Sequence, residues 1–246
     1  MEALKTIAKY KQRSFQTSLN SHIPLFESMS PTDLSSPDVV LIGDSMIERM
    51  LTTGNCGPNL TSPWPSTTML PDDSTKQLQG DRVLNLGVGG DKIQNVAYRL
   101  VGDATRDLKS VAEVLAGRRS VKLWVLQVGT NNLNPKKGLG DGDMDALRLL
   151  VEALLEIGRA DCKVLVTGLF LRRDISQNRI EQANEKIQRV IEHVESGQPG
   201  RVVWLPATGD VKQDHLVDHV HLDEDGYRNW IGSSLFRAVR FLNGDK

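Results

Sequence analysis

The chain has 246 residues, 39% of them hydrophobic and 25% charged, a balance that suits a globular protein of one large domain or two small ones with a sizeable core. Its net charge of -1 gives no general attraction to nucleic acid or to an anionic membrane, and no apolar run reaches transmembrane length, so neither nucleic acid nor integral membrane contact is expected. The two cysteines, Cys56 and Cys162, fit free thiols in a reducing compartment rather than a zinc signature, and the opening MEALKTIAKYKQRSF lacks the apolar stretch and cleavage site of a secretory signal, so a cytoplasmic location is expected.

Residues 1–36 read as an N-terminal extension ahead of a domain over 37–246. Leu4, Ile7 and Ala8, interleaved with Lys5, Lys9 and Lys11, predict an amphipathic helix that packs on the domain rather than on a membrane. Next comes VVLIG (39–43), an apolar strand pattern that runs into Gly43-Asp44-Ser45 and then into helix-forming residues. A Thr, Ser, Pro and Gly-rich insert follows at 51–80, long enough to be either a wall or lid of a site or a surface insertion. RVLNLG (82–87) and VKLWVLQVG (121–129) predict two further strands, and NPKKGLGDGDM (134–144) a mobile loop. DMDALRLLVEALLEIG carries Leu147, Leu150, Val151, Leu154 and Leu155 on one helical stripe. CKVLVTGLF (162–170) predicts a fourth strand, NRIEQANEKIQRVIEHVES a second long helix, RVVWLP (201–206) a fifth strand, and GYRNWIGSSLFRAVRFL a closing helix. The strands are nearly continuous apolar runs, the mark of parallel strands covered on both faces. Alternation with helices predicts an open, doubly wound α/β sheet, which binds ligands at the carboxyl ends of its strands.

Those strand ends carry the chemistry. Ser45, after the first strand, is either a helix cap or a nucleophile. Val88-Gly89-Gly90-Asp91, after the second, lacks the spacing of a dinucleotide fingerprint but lets backbone approach a ligand closely. Gly129-Thr130-Asn131-Asn132, after the third, offers an amide donor or an Asx turn. Near the C-terminus, Asp214-His215-Leu216-Val217-Asp218-His219-Val220-His221 holds three of the five histidines. Asp218 and His221 form the chain's Asp-x-x-His pair, whose spacing can bring a carboxylate to an imidazole Nδ1 and leave Nε2 free for a serine. His219, His221 and Asp223 could instead hold a metal, but no matching ligand cluster stands at another strand end. His215 and His219 are read as loop histidines.

At GDSM (43–46), NLGVGGD (85–91), VGTNN (128–132) and DHVH (218–221), the chain resembles the SGNH hydrolases, also called the GDSL esterase and lipase family. Within it, NLGVGGDKIQNVAYRL followed by VGTNN is most similar to the catalytic subunits of intracellular platelet-activating factor acetylhydrolase. The resemblance implies a flavodoxin-like α/β/α sandwich with a five-stranded parallel sheet. It implies Ser45 as nucleophile, His221 as base and Asp218 as its partner. It also implies an oxyanion hole from Ser45, Gly90 and Asn131, with Asp44 and Asn85 in support. The implied reaction is hydrolysis of a small carboxylic ester, an acetylated lipid, sugar or metabolite, with no cofactor and no metal. A homodimer is a further expectation, since the acetylhydrolase subunits dimerise. Two departures bear on the substrate: the insert after Ser45 is longer than in the acetylhydrolase subunits, and Gly168 to Arg173 lacks an expected proline.

The alternatives are a longer-chain lipase, lysophospholipase or thioesterase, and, of another class, a non-catalytic interaction subunit on the same fold. A metal-dependent phosphoesterase would need a ligand cluster that the sequence lacks. An α/β-hydrolase would need a G-x-S-x-G elbow, and Asp218 lies too close to His221 for that layout.

Overall fold

The computed structural model describes residues 1–28, 39–50, 83–116 and 121–232. The strands are β1 (Val39–Gly43), β2 (Val83–Gly87), β3 (Leu123–Gln127), β4 (Lys163–Thr167) and β5 (Val202–Leu205). They form one sheet in the order β2-β1-β3-β4-β5, and every pairing is parallel. This is the expected doubly wound, flavodoxin-like arrangement, with its switch point at β1. Alternate residues feed two cores, as the period of a strand requires. Val40, Ile42, Trp124, Leu126, Val164 and Val166 enter one cluster, while Val39, Leu41, Leu123, Val125 and Leu165 enter the other.

The first core lies under the long crossover helices. Helices α1 (Glu2–Ile7), α2 (Gln12–Thr17) and α3 (Ile23–Ser28) precede the sheet. After β1 comes the short helix α4 (Ser45–Glu48), followed by α5 (Ile93–Val101), α6 (Val111–Ala116), α7 (Asp141–Ile157) and α8 (Gln177–Gly197). Helix α7 buries Leu147, Leu150, Val151, Leu154 and Leu155, and its first turn carries Asp141 and Asp143, which complement the helix dipole. Helix α8 buries Ile180, Ala183, Ile187, Ile191 and Val194. The second core is closed by α4 and by α9, which starts at residue 224 and is described to 232; Tyr227, Trp230 and Ile231 of α9 are buried there. The remainder of the predicted C-terminal helix and the insert at 51–80 lie outside the described residues.

Two local expectations are corrected. The single helix read from Leu4 to Lys11 ends at Ile7. Lys9 donates its N–H to the carbonyl of Gln94 and accepts from the Asn95 side chain, both at 2.9 Å, so the backbone leaves the helix to bond with α5. The loop read over 134–144 is in part a closed turn and in part helix. Asn134 and Gly138 exchange backbone hydrogen bonds, the Asn134 side chain caps the N–H groups of Lys136 and Lys137, and α7 begins at Asp141. Asn134 thus acts as a local side-chain cap, which a count of breakers does not reveal.

Registry aligns the ends of the first three strands. Gly43 pairs with Gly87 on one side and with Gln127 on the other. The loops after β1, β2 and β3 therefore leave the sheet side by side. A Cβ on Gly87 would stand 2.1 Å from the backbone nitrogen of Glu48, so only glycine lets α4 settle this close to β2.

Candidate active site

Ser45 opens α4 directly after β1. Asp44 is the N-cap, and its carboxylate accepts the N–H of Met46 at 2.9 Å. The cap aims the first turn of α4, and with it the Ser45 hydroxyl, out of the carboxyl edge of the sheet. Asn85 fixes the same turn from β2: its Nδ2 donates to the carbonyl of Ile47 at 2.7 Å, and its Oδ1 accepts the N–H of Gly87 at 2.8 Å. Burial pushes the Asp44 carboxyl up to about 7; the Met46 N–H opposes this, and the charge of Asp91 adds to it.

Between β5 and α9 the chain brings Asp218 and His221 to this point. The Ser45 Oγ lies 2.9 Å from His221 Nε2, and His221 Nδ1 lies 2.7 Å from Asp218 Oδ2. The other oxygen of Asp218 accepts the backbone N–H groups of Val220 and His221, each at 2.8 Å. Burial alone would raise the Asp218 carboxyl. The hydrogen bonds from the His221 ring and from those two N–H groups outweigh it and hold the group at about 2. Asp218 is therefore a carboxylate at neutral pH, and it fixes the tautomer of the imidazole with the proton on Nδ1. His221 is lowered from the ordinary histidine range, by burial first and by the nearby Arg49 guanidinium, against the opposing pull of Asp218. A neutral ring with a free Nε2 beside a hydroxyl can accept that hydroxyl's proton.

Asn131, after β3, donates from Nδ2 to the carbonyl of Asp91 at 3.0 Å and to Asp44 Oδ2 at 3.4 Å. Gly90 sits in a turn closed by the Asp91 N–H on the carbonyl of Val88, with a φ of 75° that favours glycine. Among the described residues, the N–H groups of Ser45 and Gly90 have no acceptor. All seven residues singled out in the sequence thus meet on one edge of the sheet. His215 instead caps a short turn through Nδ1 on the Lys212 N–H. Among the described residues, no three His, Cys, Asp or Glu side chains are placed to hold a metal ion.

The structure adds residues that the sequence reading passed over. Arg99 and Asp91 form an ion pair at 2.9 Å with both side chains fully buried. Arg99 also donates to the carbonyls of Leu86 and Gly43, at 2.8 and 3.1 Å, and so clamps the ends of β2 and β1. An arginine on the apolar face of the Ile93–Leu100 pattern, two helical turns after Asp91, was the available signal. Arg172 donates to the carbonyl of Thr130 at 2.7 Å and pairs with Asp174, holding the loop after β3. Ser14 donates to Asp91 at 2.5 Å across 77 positions, a contact with no local sequence signal.

Over residues 41–228 the sequence matches the GDSL-like lipase/acylhydrolase family. The chain belongs to that family. It is a hydrolase of the GDSL/SGNH esterase class, and the GDSL motif of the family is here Gly43-Asp44-Ser45-Met46. Platelet-activating factor acetylhydrolase IB subunit alpha1 of Rattus norvegicus is 26% identical over 198 residues, covering 78% of this chain and 70% of the relative. Subunit alpha2 of the Homo sapiens enzyme is 25% identical over 198 residues, covering 78% and 71%. Among solved structures, a family two carbohydrate esterase of Clostridium thermocellum shares the fold with a TM-score of 0.60 and 10% identity, over 86% of this chain and 65% of that one. Est24, a carbohydrate acetylesterase of Sinorhizobium meliloti, shares it with a TM-score of 0.56 and 15% identity, over 84% and 100%. No helix among the described residues of this GDSL hydrolase is long and apolar enough to cross a membrane.

Proposed function

We propose that the chain is a serine esterase that hydrolyses carboxylic esters with short acyl groups, acetyl esters first. The observation that carries this reading is the unbroken series from the Ser45 hydroxyl through the His221 ring to the Asp218 carboxylate, with ring-nitrogen contacts of 2.9 and 2.7 Å. His221 Nε2 takes the proton of Ser45 as Oγ attacks the ester carbonyl, and Asp218 steadies the imidazolium that forms. The N–H groups of Ser45 and Gly90 and the amide of Asn131 receive the tetrahedral oxyanion. His221 then gives its proton to the departing alkoxide. In the second half, His221 takes a proton from water, whose oxygen attacks the acyl-serine, and Ser45 regains its own proton. Every step uses groups of this chain and water.

The choice of acetyl is supported by the names of its relatives, an acetylhydrolase in sequence and a carbohydrate acetylesterase in fold. The substrate is a small ester, an acetylated lipid, sugar or metabolite. The test is hydrolysis of p-nitrophenyl acetate, butyrate and octanoate by the purified protein and by Ser45→Ala. Activity that falls with chain length and vanishes in Ser45→Ala supports the proposal. Activity that survives in Ser45→Ala ends it, and a preference for octanoate moves the reading to a longer-chain lipase or thioesterase.

A further inference from the structure

The N-terminal arm reaches the site. Helix α2 is preceded by Lys11, whose ammonium donates to the carbonyl oxygen of Gly89 at 3.0 Å and lies 3.6 Å from the Asp91 carboxylate. That carbonyl belongs to the same peptide unit as the N–H of Gly90. In a trans peptide the two groups point in opposite directions, so whatever holds the carbonyl also aims the N–H.

This peptide needs holding. Residues 88–91 form a turn closed by the Asp91 N–H on the Val88 carbonyl at 3.1 Å. Gly90 has a φ of 75°, and Gly89 is not among the positive-φ residues, which together define a type II turn. Types I and II differ by a flip of the central peptide, here Gly89–Gly90. Glycine on both sides of that peptide leaves the flip without steric resistance. Among the described residues, no donor other than Lys11 reaches the Gly89 carbonyl. The arm that carries Lys11 is itself fastened: Lys9 bonds to Gln94 and Asn95, Ser14 to Asp91, and Arg13 to Glu48 of α4.

We infer that Lys11 is a positioning residue of the oxyanion hole: its ammonium pins the Gly89–Gly90 peptide in the orientation that presents the Gly90 N–H to the oxyanion, and polarises that N–H as a donor. This rests on the esterase reading above, in which Gly90 is a donor. A cation hydrogen-bonded to one end of an amide strengthens the donor at the other end.

The test compares wild type, Lys11→Met, Lys11→Arg, the exposed neighbour Lys9→Met, and Asn131→Ala on p-nitrophenyl acetate. Each is also titrated with an alkyl boronic acid, whose serine adduct places an oxygen in the hole. Lys11→Met is expected to lower kcat roughly tenfold, less than the roughly 10²–10³ of deleting a donor such as Asn131. KM should change by less than about twofold, and boronic acid affinity should fall in step with kcat. Lys11→Arg should recover most of the loss, and Lys9→Met should match wild type. A merely structural role would lower the melting temperature and the active fraction without weakening the boronic acid. If Asn131→Ala is impaired while Lys11→Met keeps wild-type kcat and boronic acid affinity, the role of Lys11 is refuted and the hole stands. If Asn131→Ala itself is unimpaired, the hole assignment falls and takes the role of Lys11 with it. Should Lys11→Met fail to fold, Lys11→Gln, which keeps a neutral donor, is expected to fall between wild type and the tenfold loss; wild-type behaviour there overturns the inference.

Discussion

Replacing Arg99 with methionine probes the clamp beneath the site. The two side chains of the Arg99–Asp91 pair are fully buried, so the substitution leaves a carboxylate in the interior without its main counter-charge. Removing one partner of a buried ion pair costs about 3–5 kcal/mol. Lys11 at 3.6 Å and the Ser14 hydroxyl at 2.5 Å still face Asp91, which favours the lower end, about 3 kcal/mol. The Leu86 and Gly43 carbonyls each lose a guanidinium donor, adding about 1 kcal/mol in all, because the strand pairing still serves this edge, as the Val88 N–H on the Gly43 carbonyl at 3.1 Å shows. The sum is about 4 kcal/mol, a large part of the roughly 5–15 kcal/mol that holds a domain folded. At about 2–4 °C per kcal/mol for a chain of this size, the melting temperature should fall by about 8–16 °C. Urea and thermal melts of wild type, Arg99→Met, Asp91→Asn and the double variant would measure this. The double variant should be less destabilised than the sum of the singles, because the second change removes the stranded charge. Arg99→Met within about 1 kcal/mol of wild type would refute the reasoning, since it would mean that the pair is not desolvated.

Three further outcomes are expected. Asp218→Asn should fold but lose on the order of 10⁴ in kcat, because an amide at that position favours the wrong imidazole tautomer; full activity would mean that another group orients His221. His22 is buried and, by desolvation first and by the Arg99 charge second, lowered to about 3. Its folded form therefore stays neutral while the unfolded chain takes up a proton below about 6.5, so stability is full above that pH and is lost as the pH falls toward 3. This amounts to on the order of 3 kcal/mol between pH 6.5 and 4; His22→Leu, compared by urea melts, should lose that much less over this interval, and parallel curves for the two proteins would count against it. Cys162 is buried and its thiol is pushed up to about 12 by burial, so a thiol reagent followed by peptide mapping should leave Cys162 unlabelled in the native protein; rapid labelling would show that the β4 end opens.

The sequence by itself determined the sheet and the short-range devices. Continuous apolar runs bounded by glycine announce buried parallel strands, because a strand covered on both faces has no polar alternation to show. Asp218 and His221 are legible because three residues of spacing suffice for a carboxylate to reach an imidazole, and Asp44 because a cap acts within two residues. The alignment of the first three strand ends was legible only through the motifs' order and their family resemblance, since no local rule sets the β2-β1-β3 registry. The tertiary structure alone decided the rest. In sequence, Lys11 belongs to the expected N-terminal amphipathic helix, Ser14 carries no signal, and Arg99 offers only its place on an apolar helix face; it is contacts across 78, 77 and 56 positions, to Gly89, Asp91 and Gly43, that make them parts of the site. Hydrogen bonds and ion pairs act over a few ångströms in space and carry no period along the chain, whereas burial does, which is why the core was readable and the clamp was not.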